Sequence, residues 1–321
     1  MALPDTSSNP TWDDYTPVAL TACMRALGSL VMAMSAQDEP RLVVVGGLVP
    51  NLLFQNNSDE PLIEADPHPG TNDVDFCVQL DVPGDDDVLY QNLLGVLKDH
   101  GFVRMQQRTQ SGDPAESVWQ WTLTVDDVRV AVEFLSPPDS LMAGRTTPVP
   151  GRLTQGEKIR SGDEIGALRI RGADLAHADP TPVTINIELL GDRGRMDVQV
   201  WVANILPFVV LKSFAIRGRG KDKDAFDLIW LLMNWPGGPD SAARAARLSP
   251  VVNRPDVEIG LGYLREAFAD IGQHGCVRYA KFRMSSGQFG DSDETRVRYC
   301  RDAQGAVHRF LREWDGANRH R

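Results

Sequence analysis

The sequence predicts an α+β fold, in which a mixed sheet with flanking helices is followed by a mainly helical C-terminal region. The apolar patterns of residues 13–135 indicate a helix, a strand, a helix, a strand, a helix and then three consecutive strands. Strands and helices that alternate and then lead into an antiparallel meander are typical of a mixed sheet. Beyond residue 205, apolar residues recur mostly at helical spacing, which predicts the helical region.

The elements of the first 135 residues follow from their periodicity and from the residues that bound them. Residues 13–36 have the spacing of an amphipathic helix, and residues 41–45 form a short apolar strand that ends at Gly46-Gly47. Asp126-Asp127 marks a turn between the last two strands. The other helices are predicted over residues 48–55 and 85–100, and the other strands over residues 73–80, 102–109, 117–125 and 128–135.

The rest of the chain is predicted to be an extension of the core. Residues 136–182 are rich in Gly, Pro and charge, and we expect them to be irregular and in part extended. A β-hairpin is predicted over residues 183–201, turning at residues 191–194. Helices are predicted over residues 206–217 and 222–234, and residues 241–248, 257–273 and the last forty are predicted to be mostly helical or irregular. The predicted division is a core at residues 1–150 and an extension at residues 151–321.

Composition limits the functional classes. The 321 residues are 42% hydrophobic and 24% charged, as in globular proteins, and no apolar run is long enough to cross a membrane. The net charge of −11 and the pI of about 5.0 argue against non-specific coating of nucleic acid. The four cysteines form no C-x-x-C pair, which argues against a zinc site and favours free thiols in a cytoplasmic protein.

Two short segments carry the clearest chemical signal. Gly46-Gly47 follows a buried strand, where glycines let a phosphate approach the backbone. Asp73 and Asp75 alternate with apolar residues on a later strand, so both carboxylates lie on one face. Crowded carboxylates suit Mg²⁺, especially where phosphates complete its ligand shell. Taken singly, these features also fit a tight turn and a pair of solvated acids.

A third acid, Glu133, emerges from the apolar strand at residues 128–135. If this strand lies beside the strand of Asp73 and Asp75, the three carboxylates converge. Three converging acids can hold two metal ions about 4 Å apart, as in two-metal phosphoryl chemistry. Glu133 could also accept the proton of an attacking hydroxyl. The alternative is a surface-facing strand residue.

Together these residues resemble the signature of the nucleotidyltransferase superfamily. That signature is a strand, Gly-Gly or Gly-Ser, a helix, a strand with D-x-D, and a third acid on a later strand. The resemblance covers residues 40–135 in order, although residues 56–70 make the gap before Asp73 longer than usual. It implies that Asp73, Asp75 and Glu133 are catalytic and bind two Mg²⁺ or Mn²⁺ ions, with an NTP as substrate.

A second block is similar to the AbiEii-type nucleotidyltransferases, toxins of bacterial type IV toxin–antitoxin systems, and to their bacterial relatives. Lys212 lies on one predicted helix, and the next begins with Asp222-Lys223-Asp224 and continues to Asp227. The resemblance implies that Lys212 contacts a nucleotide phosphate and that Asp224 or Asp227 supports the site. The predicted nucleotide-binding residues are Gly46, Gly47, Thr71, Lys212, Lys223, Asp224 and Asp227. A solvated helix face is the alternative for the second block.

Several acceptors and two rival functions remain open. The acceptor hydroxyl could belong to an RNA or tRNA 3′ end, to an aminoglycoside-like small molecule or to a protein side chain, and the toxin-like relatives imply an antitoxin partner. One rival is a non-catalytic module that binds a nucleotide or a partner protein. The other is a structural accessory protein in which the motifs are coincidental.

Two further features are ambiguous from the sequence. His68 precedes Asp73 and could reach the site, but an exposed loop position is the favoured interpretation. Basic residues are dense between residues 193 and 223, which fits either a rim for triphosphate or RNA or an ordinary charged surface. They are Arg193, Arg195, Lys212, Arg217, Arg219, Lys221 and Lys223.

Overall fold

The computed structural model confirms the α+β prediction: it contains a mixed sheet and a helical C-terminal region. It describes residues 9–34, 40–57, 68–78, 86–108, 114–137, 157–158, 165–287, 290 and 292–316. Most of residues 56–70, which lengthen the gap before Asp73, lie outside these residues. No helix among the described residues is long and apolar enough to cross a membrane.

The sheet is built from strands far apart in the chain. The described strands are β1 (Leu42–Val45), β2 (Asp73–Val78), β3 (Val103–Arg108), β4 (Pro114–Val125), β5 (Val128–Ser136), β6 (Glu157–Lys158), β7 (Gly166–Arg169), β8 (Pro180–Glu188) and β9 (Arg195–Ala203). The order across the sheet is β3-β4-β5-β2-β1-β9-β8, with β7 paired to β5 and β6 paired to β7. The hairpin of β8 and β9 therefore extends the sheet that contains Asp73.

Strand β2 lies in the middle of this sheet. It runs antiparallel to β1, with Val45 opposite Asp75, and parallel to β5, with Glu133 opposite Asp75. Strand β9 runs parallel to β1 on the other side. The N-terminal end of β2 thus meets the C-terminal end of β1, where Gly46-Gly47 begins.

Helices cover both faces of the sheet. They are α1 (Pro17–Ala33), α2 (Val49–Asn57), α3 (Asp86–Asp99), α4 (Ala173–Ala178), α5 (Ile205–Gly218), α6 (Asp222–Asn234), α7 (Gly238–Arg247), α8 (Pro255–Ala267), α9 (His274–Met284) and α10 (Asp293–Gly316). One face carries the large core, to which Val74 and Phe76 of β2 contribute fully buried side chains. The other face carries a second, smaller core that includes Cys77, Leu135, Ala173 and Ala176.

Most predicted elements are confirmed to within a few residues. The turn at Asp126-Asp127 places both residues at positive φ, and the hairpin at residues 183–201 forms. In the described part of residues 136–182, the strands agree with the partly extended chain that was predicted, whereas helix α4 was not predicted. That part contains β6, β7, α4 and the start of β8. These elements are too short to show a helical or strand period in the sequence.

Candidate active site

The structure brings the three predicted acids together. Asp73 and Asp75 project from β2, and Glu133 projects from β5 directly beside Asp75. One carboxylate oxygen from each of the three lies within 4.8 Å of the other two. All three side chains are partly exposed. Val74, which lies between Asp73 and Asp75, and Phe76, which follows Asp75, are fully buried. The alternation of β2 therefore separates a polar edge from the core, as predicted.

The acids lie where the covered part of the sheet face ends. Asp75 and Cys77 share a face of β2, and Cys77 is buried in the second core with α4 above it. The same face of β5 carries Glu133 and then Leu135, which also belongs to that core. Sequence periodicity did not predict α4 and β7, which help to cover this part of the sheet face.

Mutual repulsion and burial act together on these acids. The pKa of Asp75 lies well above its ordinary value because of burial, Asp73 and Glu133, and Arg219 and Lys221 offset this only in part. Burial and Asp73 likewise raise the pKa of Glu133, although Gln120 Nε2 donates a 2.7 Å hydrogen bond to Glu133 Oε1. The negative charge of the three acids is therefore not matched by cationic side chains. A set of three carboxylates with unmatched charge fits a divalent cation.

Gly46 and Gly47 lie directly against these residues. Gly46 has a φ of +72°, and a Cβ there would collide with the Asp75 carboxylate. A Cβ on Gly47 would lie 2.7 Å from Thr71 Oγ1 and 3.2 Å from Lys223 Nζ. Thr71 in turn donates a hydrogen bond from Oγ1 to Asp73. Gly46 is thus required by the close approach of the strand end to Asp75, and Gly47 by its close approach to Thr71 and Lys223.

Lys212, Asp224 and Asp227 form a second, buried cluster. Lys212 Nζ lies 2.9 Å from Asp224 Oδ1 and 2.7 Å from Asp227 Oδ2. Lys212 is 4% exposed. Burial alone would lower the pKa of Lys212, but the two carboxylates raise it. Lys212, Asp224 and Asp227 are not on a solvated helix face. A phosphate contact by Lys212 stays a prediction.

Two more cations complete the cluster. Lys223 Nζ donates to Asp227 Oδ1 at 2.6 Å, and Arg219 donates through Nε and Nη2 to the two oxygens of Asp224 at 2.8 and 3.0 Å. Although burial opposes it, Arg219 and Lys212 lower the pKa of Asp224, and Lys212 and Lys223 lower that of Asp227. Both carboxylates are therefore ionised and fully paired inside the protein.

The favoured interpretation of His68 as an exposed loop residue is wrong. His68 is 7% exposed, and its Nε2 lies 3.0 Å from Asp227 Oδ1. The backbone N–H of Gly70 donates to His68 Nδ1 at 3.1 Å, which leaves the proton on Nε2 for Asp227. Burial lowers the pKa of His68 to about 4, so the imidazole is neutral at pH 7. The polar loop sequence around His68 contains no pattern that predicts its burial.

The two clusters meet around Gly47. Lys223 lies beside Gly47 and pairs with the buried cluster, while Thr71 lies on the other side and bonds to Asp73. The charge of Arg219 reaches Asp75 and Asp73, and that of the exposed Lys221 reaches Asp75 and Glu133. Arg219 and Lys221, which lie between α5 and α6, thus border the acids, and Lys223 lies beside Gly47 at the end of β1.

The predicted basic rim is only partly assembled. Arg195 begins β9, and Trp201 is the β9 residue that pairs with β1. Six residues of strand place Arg195 roughly 20 Å from that point, so Arg193 and Arg195 lie far from the acids. Arg217 pairs with Glu266 at the surface. Arg219, Lys221 and Lys223 are the members close to the acids.

Tyr15 is a site residue that sequence reasoning missed. Its ring lies 5.0 Å from Lys223 Nζ, and burial together with Asp73 raises the pKa of its phenol. The backbone of the same segment is fixed to the start of β2, because Asn72 Nδ2 donates to Asp14 O at 2.8 Å. The sequence places Tyr15 at a helix start, with no pattern that indicates a contact 200 residues away.

No protein-family model matches this chain, and no curated protein matches it.

Proposed function

We propose that this protein is a divalent-metal-dependent nucleotidyltransferase, which moves NMP from an NTP to an acceptor hydroxyl. One observation carries the proposal: carboxylate oxygens of Asp73, Asp75 and Glu133 lie within 4.8 Å of one another, at the point where Gly46 brings the end of β1 against Asp75. Three converging acids also argue against the rival of a non-catalytic module, which would not need all three.

The residues have separate roles in this proposal. Asp73, Asp75 and Glu133 hold Mg²⁺ or Mn²⁺, which when bound neutralises charge on the phosphates. Gly46-Gly47 admits the triphosphate, and Arg219, Lys221 and Lys223 bind its β- and γ-phosphates. The buried cluster of Lys212, Asp224 and Asp227 holds Arg219 and Lys223 in place. Catalysis is then positioning and charge neutralisation.

The transfer step is a single displacement at phosphorus. The acceptor oxygen forms a bond to the α-phosphorus, and the bond from that phosphorus to pyrophosphate breaks. Glu133, the acid carried by the separate strand β5, accepts the proton of the acceptor hydroxyl. Pyrophosphate leaves on the side of Gly46-Gly47.

The finer proposal is a toxin-like enzyme of the AbiEii type, with an RNA or tRNA 3′ end as acceptor and an antitoxin as partner. It is supported by the order of Lys212, Asp224 and Asp227 after the acid-bearing strands. An aminoglycoside-like acceptor is the alternative, and the net charge of −11 favours such cationic molecules. Binding of an RNA acceptor should weaken steeply with salt.

Thermal unfolding with each NTP tests the nucleotide site, with and without Mg²⁺. An NTP at one hundred times its Kd should stabilise the wild type by about 2.7 kcal/mol, and only when Mg²⁺ is present. Asp73→Asn and Asp75→Asn should abolish this shift and the transfer of α-labelled NMP. Glu188→Gln is the matched control, since Glu188 is an exposed strand carboxylate at the far end of β8. Turnover retained in a folded Asp73→Asn or Asp75→Asn variant would refute the proposal.

A further inference from the structure

Strand β4 changes course beside the site. Between the pairs Gln106–Glu116 and Arg104–Trp121, β3 advances two residues while β4 advances five. The extra residues form a β-bulge, and buried Ser117 fixes it, because its Oγ accepts the backbone N–H groups of Trp119 and Gln120 at 3.3 and 3.0 Å. Bulges of this kind re-aim a side chain and end regular pairing.

The sheet forks at this bulge. β4 pairs with β5 only as far as Gln120 opposite Glu133, and beyond that point β5 pairs with β7 through Leu135 and Leu168. Trp119 follows the fork, so that its side chain packs against the second core on the face that carries the acids. It is partly exposed there. A large aromatic ring therefore lies one residue from Gln120, whose amide is bonded to Glu133.

The position of the Trp119 ring relative to the proposed phosphate site indicates what the ring could bind. Lys223 and Gly46-Gly47 lie on the β1 side of the acids, whereas Trp119 lies on the β4 side. In phosphoryl transfer the attacking and leaving oxygens are roughly in line. If pyrophosphate leaves toward β1, the acceptor must approach from β5 and β4.

We propose that Trp119 and the fork between β4 and β7 form the acceptor subsite, and that this subsite stacks a nucleobase at the 3′ end of an RNA acceptor. This inference rests on the proposed function and names the acceptor class for the same site. Aromatic side chains stack on unpaired bases in a sequence-tolerant way. A flat ring beside the third acid would hold the terminal hydroxyl near Glu133.

Fluorescence anisotropy of a short labelled single-stranded RNA with a free 3′ hydroxyl tests this subsite, in the presence of Mg²⁺ and a non-hydrolysable NTP analogue. Trp119→Ala should weaken RNA binding about 5- to 150-fold. Trp119→Phe should retain most of the affinity, while Trp119→Leu, which keeps apolar packing on the second core, should not. Tyr263→Ala is the matched control, since Tyr263 is an aromatic residue of α8 that packs on Phe214.

The NTP-dependent thermal shift of the same variants separates the possible failures. The shift should be unchanged in Trp119→Ala and Trp119→Leu. Wild-type RNA affinity in Trp119→Leu would overturn the inference, because the ring would then serve packing alone. Equal loss of NTP binding without RNA would also overturn it, since Trp119 would contact the base of the NTP. A wild-type protein that shifts with NTP but binds no RNA would overturn the subsite only, whereas no shift at all would refute the proposed function.

Discussion

The acid cluster and the buried cluster contain the same kind of carboxylates in opposite electrostatic settings. Asp224 and Asp227 are buried, yet their pKa values lie below the ordinary value, since Arg219, Lys212 and Lys223 bond to them. The pKa of Asp75 instead lies above the ordinary value, because burial of its carboxylate acts together with the charges of Asp73 and Glu133, and Arg219 and Lys221 offset them only in part. Exposure alone therefore does not decide which carboxylate is strained.

This difference indicates which cluster needs a ligand. Both carboxylates of the buried cluster are paired with cationic side chains of the protein itself, so this cluster needs no bound cation. The acid cluster concentrates negative charge at an accessible strand end, which a bound cation can relieve. The first is a framework that orders Arg219 and Lys223, and the second is where chemistry is expected. Stability measurements on variants of each cluster can test this division into a structural framework and a metal-binding cluster.

The largest effect is expected from Asp227→Asn. Asp227 bonds to Lys212, Lys223 and His68, so the change leaves two cations with one fewer partner in the interior. Breaking a buried ion pair on one side costs about 3–5 kcal/mol. Urea unfolding of the variant should show a loss of this size.

Asp240→Asn is the control for this change. Asp240 lies in the first turn of α7 and pairs with Arg309 and Arg312 at the surface. Exposed ion pairs contribute about 0–1 kcal/mol, so this variant should unfold almost like the wild type. Equal losses in the two variants would mean that the buried cluster is no stronger than a surface network.

The buried cluster should also respond to pH through His68. Its pKa is 6.5 in an ordinary setting and about 4 in the folded protein, so the unfolded chain binds more protons between these values. The free energy of unfolding therefore rises with pH across this window, by about 3 kcal/mol from this residue. The groups that face the imidazole are Asp227, Lys212 and Lys223, with the rings of Phe226 and Trp230.

His68→Gln isolates that contribution. The glutamine amide can donate to Asp227 but does not titrate, so the difference in unfolding free energy between variant and wild type should change sharply between pH 6.5 and 4. Other acids titrate in both proteins and cancel in this difference. A difference that is constant with pH would place the pKa of His68 near its ordinary value and contradict its burial.

The two clusters also differ in how far the sequence could reveal them. Asp73 and Asp75 could be predicted as a pair, because strand alternation is local and fixes their common face. Whether they approach Glu133 depends on β5 pairing with β2 rather than with another strand. The sequence alone does not decide that pairing. That pairing joins residues almost 60 positions apart and depends on the whole sheet order.

For the buried cluster the sequence revealed less. The i, i+3 spacing of Asp224 and Asp227 predicted a shared helix face, and both indeed contact Lys212. Their burial could not be predicted, since a charged helix face is buried only when partners arrive from elsewhere. Those partners come from α5 and from His68, which is 159 residues away from Asp227. The fork at Trp119 was also missed, because a bulge breaks the strand period that periodicity detects.

The smallest and most discriminating effect is expected from Asp75→Asn without metal. Removing one of three crowded charges should leave the folded protein equally stable or raise its stability by on the order of 1 kcal/mol. This sign is opposite to that of Asp227→Asn, although each change removes one carboxylate charge. Mg²⁺ should then stabilise the wild type but not the variant, because binding to the native state raises its stability. Unfolding in EDTA and in Mg²⁺ measures both effects, and a clear loss of stability in EDTA would show that Asp75 belongs to the framework and not to the metal site.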